Sequence, residues 1–188
     1  KAYNPKAKPF VWTATADSIL KKIEDYVNIF LGQDTGDNVR IDDFSVLSAG
    51  SGGIHIGNHV HIAFNVSIIG AGSITISDFA GISARCAIYS SNDDYSGLVL
   101  TGPTVPAAFT NVNHADVRIG RHVVIGAGSI VLPGVTIEEG VAVGALSLVT
   151  RDCHSFGIYA GVPAKRIGER KRDLLKLEKI LAHIENSE

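Results

Sequence analysis

The chain has 188 residues, a formal net charge of −2 and a hydrophobic share of 45%. That size holds one domain with a sizeable core plus short appendages, and so balanced a charge gives no reason to expect nucleic acid or an anionic membrane as partner. No apolar run reaches the roughly 18 residues of a membrane span and no signal-peptide pattern opens the sequence. Cys86 and Cys153 form no disulfide framework, so a reducing cytoplasm is the expected setting.

Residues 1–38 read as an N-terminal arm and helix. The first 16 are polar, with Pro5, Pro9 and the lone Trp12. Asp17 can cap a helix over 17–31: Ile19, Ile23, Tyr26 and Phe30 share one face, and Gly32 supplies the stop. From residue 39 the pattern changes. Ile56, Ile62, Ile68 and Ile74 recur every six positions; the series then slips by two and continues at Ile76, Ile82 and Ile88. Ile41 and Leu47 look like a first, less regular turn. Residues 92–113, with Pro103 and Pro106, break the repeat as an excursion loop, and ordered excursions are more often functional than not.

A second block is stricter. Ile119, Ile125, Val131, Ile137, Val143 and Val149 stand six apart, each preceded two positions earlier by Val117, Val123, Ser129, Val135, Val141 or Ser147. Period six suits neither an amphipathic helix nor a hairpin. It suits a strand triplet, in-out-in, followed by three turn residues, with Gly120, Gly126, Gly134, Gly140 and Gly144 at corners. Three such units make one coil of about 18 residues, and stacked coils bury a continuous aliphatic column. Residues 169–188 read as a C-terminal helix with Leu174, Leu177, Leu181 and Ile184 in a stripe.

Over residues 39–168 this pattern resembles the hexapeptide-repeat acyltransferases. The resemblance implies a mainly β fold, a left-handed parallel β-helix flanked by an N-terminal and a C-terminal helix; general crossover rules alone point to right-handed connections. The outward residues 18 apart give one polar face, Arg118 with Thr136, and two apolar ones, Val124 with Ala142 and Ile130 with Leu148. Two apolar outer faces need a cover. A homotrimer supplies it, as in relatives of this family; the terminal helices are the other way to cover them.

The stretch Ala160-Gly161-Val162-Pro163-Ala164-Lys165-Arg166-Ile167 is similar to the family's terminal Gly-x-Pro-Ala-basic element, which lines the coenzyme A site. The resemblance therefore implies acetyl-CoA as co-substrate, with Gly126, Ala127, Gly144 and Ala145 as small-residue turns beside its pantetheine arm and Lys165 and Arg166 near its phosphates. The same cations also read as part of a solvated run with Arg170, Lys171 and Arg172. His114, in His114-Ala115-Asp116-Val117-Arg118-Ile119-Gly120, sits where serine acetyltransferases carry an active-site histidine, and an imidazole suits a general base. It reads equally as a residue that pins the loop. His61, an outward residue, is a candidate for reaching a neighbour's loop.

The excursion opens Tyr89-Ser90-Ser91-Asn92-Asp93-Asp94-Tyr95-Ser96-Gly97, resembling sugar acetyltransferases of surface-polysaccharide pathways, including those acting on nucleotide-linked 4-amino-4,6-dideoxyglucose. Galactoside and antibiotic acetyltransferases carry a histidine at this opening; here Asp93 and Asp94 replace it. Two carboxylates suit an amine acceptor, whose ammonium form they can hold, and Asp93, Asp94, Tyr95 and His61 are the candidate substrate contacts. An Asx-rich turn held by its own side chains is the other reading. The expected reaction is direct N-acetylation of a nucleotide-linked amino sugar, for lipopolysaccharide or capsule synthesis, with O-acetylation as the alternative and no metal. A γ-carbonic-anhydrase-type metal enzyme lacks its histidine spacing here, and a non-catalytic scaffold leaves the excursion and Lys165 unexplained.

Overall fold

The computed structural model describes residues 35–185, so the helix expected over 17–31 lies outside the described residues. The repeat winds into a three-faced β-solenoid of about six turns. Face A has four strands, Ile54–Ile56, Ile74–Ile76, Val117–Ile119 and Thr136–Ile137. Face B has seven, starting with Arg40–Ile41, His61–Ile62, Gly81–Ile82 and Val124–Ile125. It continues with Ala142–Val143, Gly157–Ala160 and Lys165–Glu169. Face C has five, Val46–Ala49, Ser67–Gly70, Ala87–Tyr89, Ile130–Val131 and Leu148–Val149. The strands of each face pair in parallel, as the 18-residue offset requires (Arg118 beside Thr136, Val124 beside Ala142, Ile130 beside Leu148). The last pair, Gly157–Ala160 with Lys165–Glu169, is antiparallel.

Every inward position of the strict block is buried, from Val117 and Ile119 to Ser147 and Val149. So are Ile56, Ile62, Ile68, Ile74, Ile76, Ile82 and Ile88 of the first block. Each buried aliphatic side chain contributes about 1.5–3 kcal/mol relative to exposure, and the column runs unbroken through the stack. Ile41 is 37% exposed and Leu47 only packs against the core, which fits a frayed first turn. Two inward positions are serines. Ser129 and Ser147 both donate their hydroxyl to the Gly144 carbonyl, at 3.0 and 2.7 Å, and so tie the inside of one corner together.

The C-terminal helix, α1 (Leu174–Glu185), begins at the first residue of the stripe, five residues after the expected start at 169. Glu169 instead ends the strand Lys165–Glu169, whose backbone pairs with the last strand of the prism. No residue of α1 is buried, and Leu177 and Ile184 stay more than half exposed. No helix among the described residues is long and apolar enough to cross a membrane.

Candidate active site

The corner between faces B and C stacks equivalent residues coil upon coil. Ser83 N–H donates to the Ile125 carbonyl (2.9 Å), Gly126 N–H to Val143 (2.8 Å) and Gly144 N–H to Tyr159 (2.7 Å). Asp42 and Ala63 continue the ladder toward the first coil through Ile62 and Ile82. Asp42, Ala63, Ser83, Gly126 and Gly144 therefore form one column, and Asp43, Phe64, Ala84, Ala127 and Ala145 the column beside it. From Ser83 onward these two columns hold only Ser, Ala and Gly, while Arg85, Gly128 and Leu146 occupy the left-handed position beside them. The corner's compactness is enforced at Gly126, where an added Cβ would lie 2.4 Å from the Ala145 nitrogen. Four of the expected donor-binding residues, Gly126, Ala127, Gly144 and Ala145, thus form one continuous strip of small residues along the corner. Lys165 pairs with Ala160 at its far end and is exposed, while Arg166 is partly engaged by Glu169 at 3.1 Å.

The corner between faces C and A carries the excursion. Its root is a short antiparallel ribbon in which Asn113 pairs with Asn92 and His114 with Ser91. His114 Nδ1 lies 2.7 Å from Ser91 Oγ, and that oxygen accepts the Ala71 N–H at 2.8 Å. The ring is exposed, with Nε2 turned away from this contact. Continuing the strand alternation puts Asp93 on the same side as Ser91 and His114, at a diagonal spacing of about 7–8 Å.

The two aspartates differ in their surroundings. Asp94 is spent on the loop itself: its Oδ1 accepts the Ser96 N–H at 2.6 Å and its Oδ2 the Asn111 amide at 2.9 Å. Ser96 and then Asn111 hold its carboxyl below the usual range. Asp93 is half-buried and accepts only a long 3.4 Å contact from Gly102 N–H. Tyr95 is 89% exposed at the loop surface.

His61 stands on face B, one coil from the coil that carries the excursion, with Nε2 3.0 Å from Asp42 Oδ2; Arg40 Nε holds the other oxygen at 2.7 Å. The hydrogen bonds from His61, then Arg40, lower the Asp42 pKa. Within one chain His61 and His114 are not brought together, and among the described residues no three His, Cys, Asp or Glu side chains converge as metal ligands. The cysteines are poor nucleophiles: both are buried, burial pushes the Cys86 thiol up, and it pushes Cys153 up to about 11.

Sequence reasoning passed over Ser83, although it follows inward Ile82 as Gly126 follows Ile125; aligning the coils would have found it. It also passed over Ser91, the partner of His114. That contact runs 23 positions along the chain and has no local signal.

Residues 116–151 match the family described as bacterial transferase hexapeptide (six repeats). The dTDP-4-amino-4,6-dideoxy-D-glucose acyltransferase of Escherichia coli is 56% identical over 145 residues, 77% of this chain and 76% of that protein. The chain belongs to the hexapeptide-repeat acyltransferases.

Among solved structures of this family, AntD, an N-acyltransferase from Bacillus cereus, in complex with dTDP and 3-hydroxybutyryl-CoA, superposes with a TM-score of 0.75 at 44% identity. The match covers 81% of this chain and 80% of that one. An AntD variant substituted at a serine, bound to dTDP-4-amino-4,6-dideoxyglucose and coenzyme A, gives a TM-score of 0.76 at 36% identity, covering 85% of this chain and 95% of that one. Other AntD structures carry a substitution at an aspartate ten residues beyond that serine.

Proposed function

We propose that this protein transfers an acyl group, acetyl in the simplest case, from coenzyme A to the amino group of a nucleotide-linked 4-amino-4,6-dideoxy sugar. The observation that carries this reading is the strip of small corner residues that ends at a hydroxyl, Ser83. The pantetheine arm lies along Gly126, Ala127, Gly144 and Ala145, and Lys165 and Arg166 meet the donor's phosphates. The thioester carbonyl then falls at Ser83, whose Oγ–H is placed to donate to the developing oxyanion. Asp93 holds the acceptor as its ammonium form. His114 takes the proton, with Nδ1–H donating to Ser91 Oγ and the lone pair on Nε2. The freed amine adds to the carbonyl, the C–S bond breaks, and the leaving thiolate takes the second proton from the nitrogen, giving the amide and coenzyme A as the thiol. Asp94 acts by holding the loop, and Tyr95 and His61 close around the sugar.

Ser83 and Asp93 stand ten residues apart, as do the two substituted AntD positions. Within one chain they lie at opposite edges of face C, with the strand Ala87–Tyr89 between them. That strand and its flanks span about 13 Å, too far for one thioester to serve both. A neighbouring copy therefore completes the site, and a homotrimer of left-handed β-helices, in which each excursion meets the next subunit's B–C corner, satisfies this and covers the apolar faces. A biosynthetic place in the cytoplasm, in lipopolysaccharide or capsule assembly, follows from a nucleotide-linked acceptor and a coenzyme A donor.

The test is thiol release from acetyl-CoA with dTDP-4-amino-4,6-dideoxyglucose and with its 4-hydroxy counterpart. Turnover of the amino sugar alone is expected; turnover of the hydroxy sugar alone would replace this reading by O-acetylation.

A further inference from the structure

The corner between faces C and A is regular only late in the stack. Val131 and Ile137, the inward residues on either side of it there, stand six apart; Ile68 and Ile76 stand eight apart, Leu47 and Ile56 nine, and Ile88 and Ile119 are separated by the excursion. The longer turns stack as the strands do. Gly50 N–H donates to the Gly70 carbonyl (2.8 Å) and Gly52 N–H to the Ala71 carbonyl (2.9 Å). On the next coil Ala71 N–H donates to Ser91 Oγ (2.8 Å), and Ser90, fully buried, donates its hydroxyl to the Gly72 carbonyl (2.8 Å). Ala115 N–H donates to the Ser90 carbonyl (3.0 Å) and Val117 N–H to that of Ser73 (2.8 Å). An added Cβ at Gly72 would lie 2.9 Å from the Ala115 carbonyl carbon, so the coils meet there without slack. The last coil turns the same corner without the extra residues, so the prism itself does not require them.

We propose that these lengthened corners are a pedestal for His114, with Ser91 and Ser90 as positioning residues for the proton-transfer step, a reading that rests on the acyl-transfer function above with His114 as base. His114 is held from both sides. Ser91 Oγ faces its Nδ1 at 2.7 Å, and the next residue, Ala115, is tied to Ser90 and packed on Gly72. The excursion enters and leaves through this root, so the pedestal fixes the imidazole whatever the rest of the loop does. A base displaced by about 1 Å can lose on the order of 100-fold in rate, and a root this tightly bonded therefore has a use in catalysis that the repeat does not give it.

Ser91 also decides which ring nitrogen carries the hydrogen. A hydroxyl oxygen has two lone pairs. Ala71 N–H takes one, and the other faces Nδ1. With Nδ1–H donating there, the Nε2 lone pair is left for the acceptor's proton, and the imidazolium that forms keeps the same hydrogen bond. In the opposite tautomer Nε2 already carries a hydrogen and cannot take another.

The experiment records imidazole nitrogen NMR spectra of the full chain at about pH 9, above the ordinary imidazole range, with the His114 signals identified by their loss in His114→Gln. Thiol-release kinetics with acetyl-CoA and dTDP-4-amino-4,6-dideoxyglucose accompany them for the parent, Ser91→Ala, Ser91→Thr and Ser90→Ala. The parent is expected to carry the hydrogen on Nδ1. Ser91→Ala is expected to move it to Nε2 and to lower kcat about tenfold or more, part of what a general base supplies, with both KM values within about twofold. Ser91→Thr, which keeps the hydroxyl, restores tautomer and rate. Ser90→Ala is expected to lower kcat by a smaller factor with the tautomer kept. Hydrogen on Nε2 in the parent, or an unmoved tautomer and kcat in Ser91→Ala, overturns the positioning role. So does a loss in Ser91→Ala that Tm follows and Ser91→Thr does not restore, which makes the serine structural only. Parental kcat in His114→Gln removes the base reading itself, and the positioning role with it.

Discussion

Two corners of the prism share a backbone and differ in almost every side chain. At the corner between faces A and B the left-handed positions are Asn38, His59, Phe79, His122, Gly140 and Phe156. Three of these stack: His59 on Phe79 at 4.7 Å between ring centroids and Phe79 on His122 at 5.0 Å, with planes within 14°. Helix α1 and the segment before it cover this ladder. Glu178 pairs with Arg121 and His122, Glu185 with His59, Arg170 donates to the His122 and Gly140 carbonyls, and Arg172 sits over Phe156. At the B–C corner the left-handed positions are Phe44, Asn65, Arg85, Gly128 and Leu146, with no stacked rings among them; the two residues before each narrow to Ser83-Ala84, Gly126-Ala127 and Gly144-Ala145 in the later coils, and no element of this chain among the described residues lies over them. Mutually stacked turn residues give a seam that a helix seals; small ones leave the coil backbone open at the surface. The repeat sets the scaffold, and the turn side chains decide which edge is covered within the chain and which is left accessible.

The comparison breaks most severely if the small corner is filled. Gly126→Val places its first carbon against the Ala145 backbone, which cannot step aside without prying two coils apart. Expected is a loss of at least several kcal/mol, in the range of severe overpacking and strain, read as a fall in Tm of about 10 °C or more together with loss of coenzyme A binding. A variant with parental Tm and parental coenzyme A affinity would show that the corner is not as tight as described.

Next in size is the split between activity and stability. Ser83→Ala is expected to lower kcat about 100-fold, the usual cost of one oxyanion donor, with Tm unchanged. Glu178→Ala does the reverse: His122, only 8% exposed, and Arg121 lose their carboxylate. The expected cost is about 1–3 kcal/mol, with KM for both substrates unmoved. If Glu178→Ala disabled catalysis at parental Tm, the sealed corner would not be merely structural. A smaller effect is expected for Gly140→Ala. There φ is 70° and the new methyl meets the Phe156 ring at 2.5 Å, so strain of about 1–2 kcal/mol adds to a displaced ring.

The inward column was legible because period six is written in Ile and Val, and burial tolerates little else there. The corner proposed for the donor was half legible. Gly126 and Gly144 announce a tight turn, but Ser83 hides as an ordinary polar residue until the coils are aligned. The separation of Asp93 from Asp94 was not legible at all, since it depends on Ser96 and Asn111 reaching one carboxylate and not the other. The start of α1 was misjudged for a related reason. Glu169 and its neighbours are good helix formers, and only the presence of an unpaired strand edge at Gly157–Ala160 recruits them. The stripe residues Leu177, Leu181 and Ile184 stay exposed, while ion pairs from Glu178 and Glu185 hold the helix on the prism.

The smallest effect expected lies at the lower end of the sealed corner and is a matter of pH. Glu138 accepts from Ser155 Oγ at 2.7 Å and Ser155 N–H at 2.8 Å, with His154 Nδ1 at 3.2 Å. The Ser155 hydroxyl, then its backbone, then His154 bring the Glu138 pKa down to about 2 from an ordinary 4.5. A carboxyl whose folded pKa is depressed stabilises the fold fully above its unfolded value and loses that contribution as pH falls toward the folded one. The difference in Tm between the parent and Glu138→Gln should therefore be level from pH 7 down to about pH 5 and close between there and about pH 2. Ser155→Ala removes the first two donors' hydroxyl share and should shift the closing range upward, toward 4.5. The carboxyl is part-exposed, so the whole difference amounts to a degree or two at most. A gap that instead widened on acidification would mean that these hydrogen bonds favour the protonated acid, and that the exit loop is held at this corner by Phe156 and Arg172 alone.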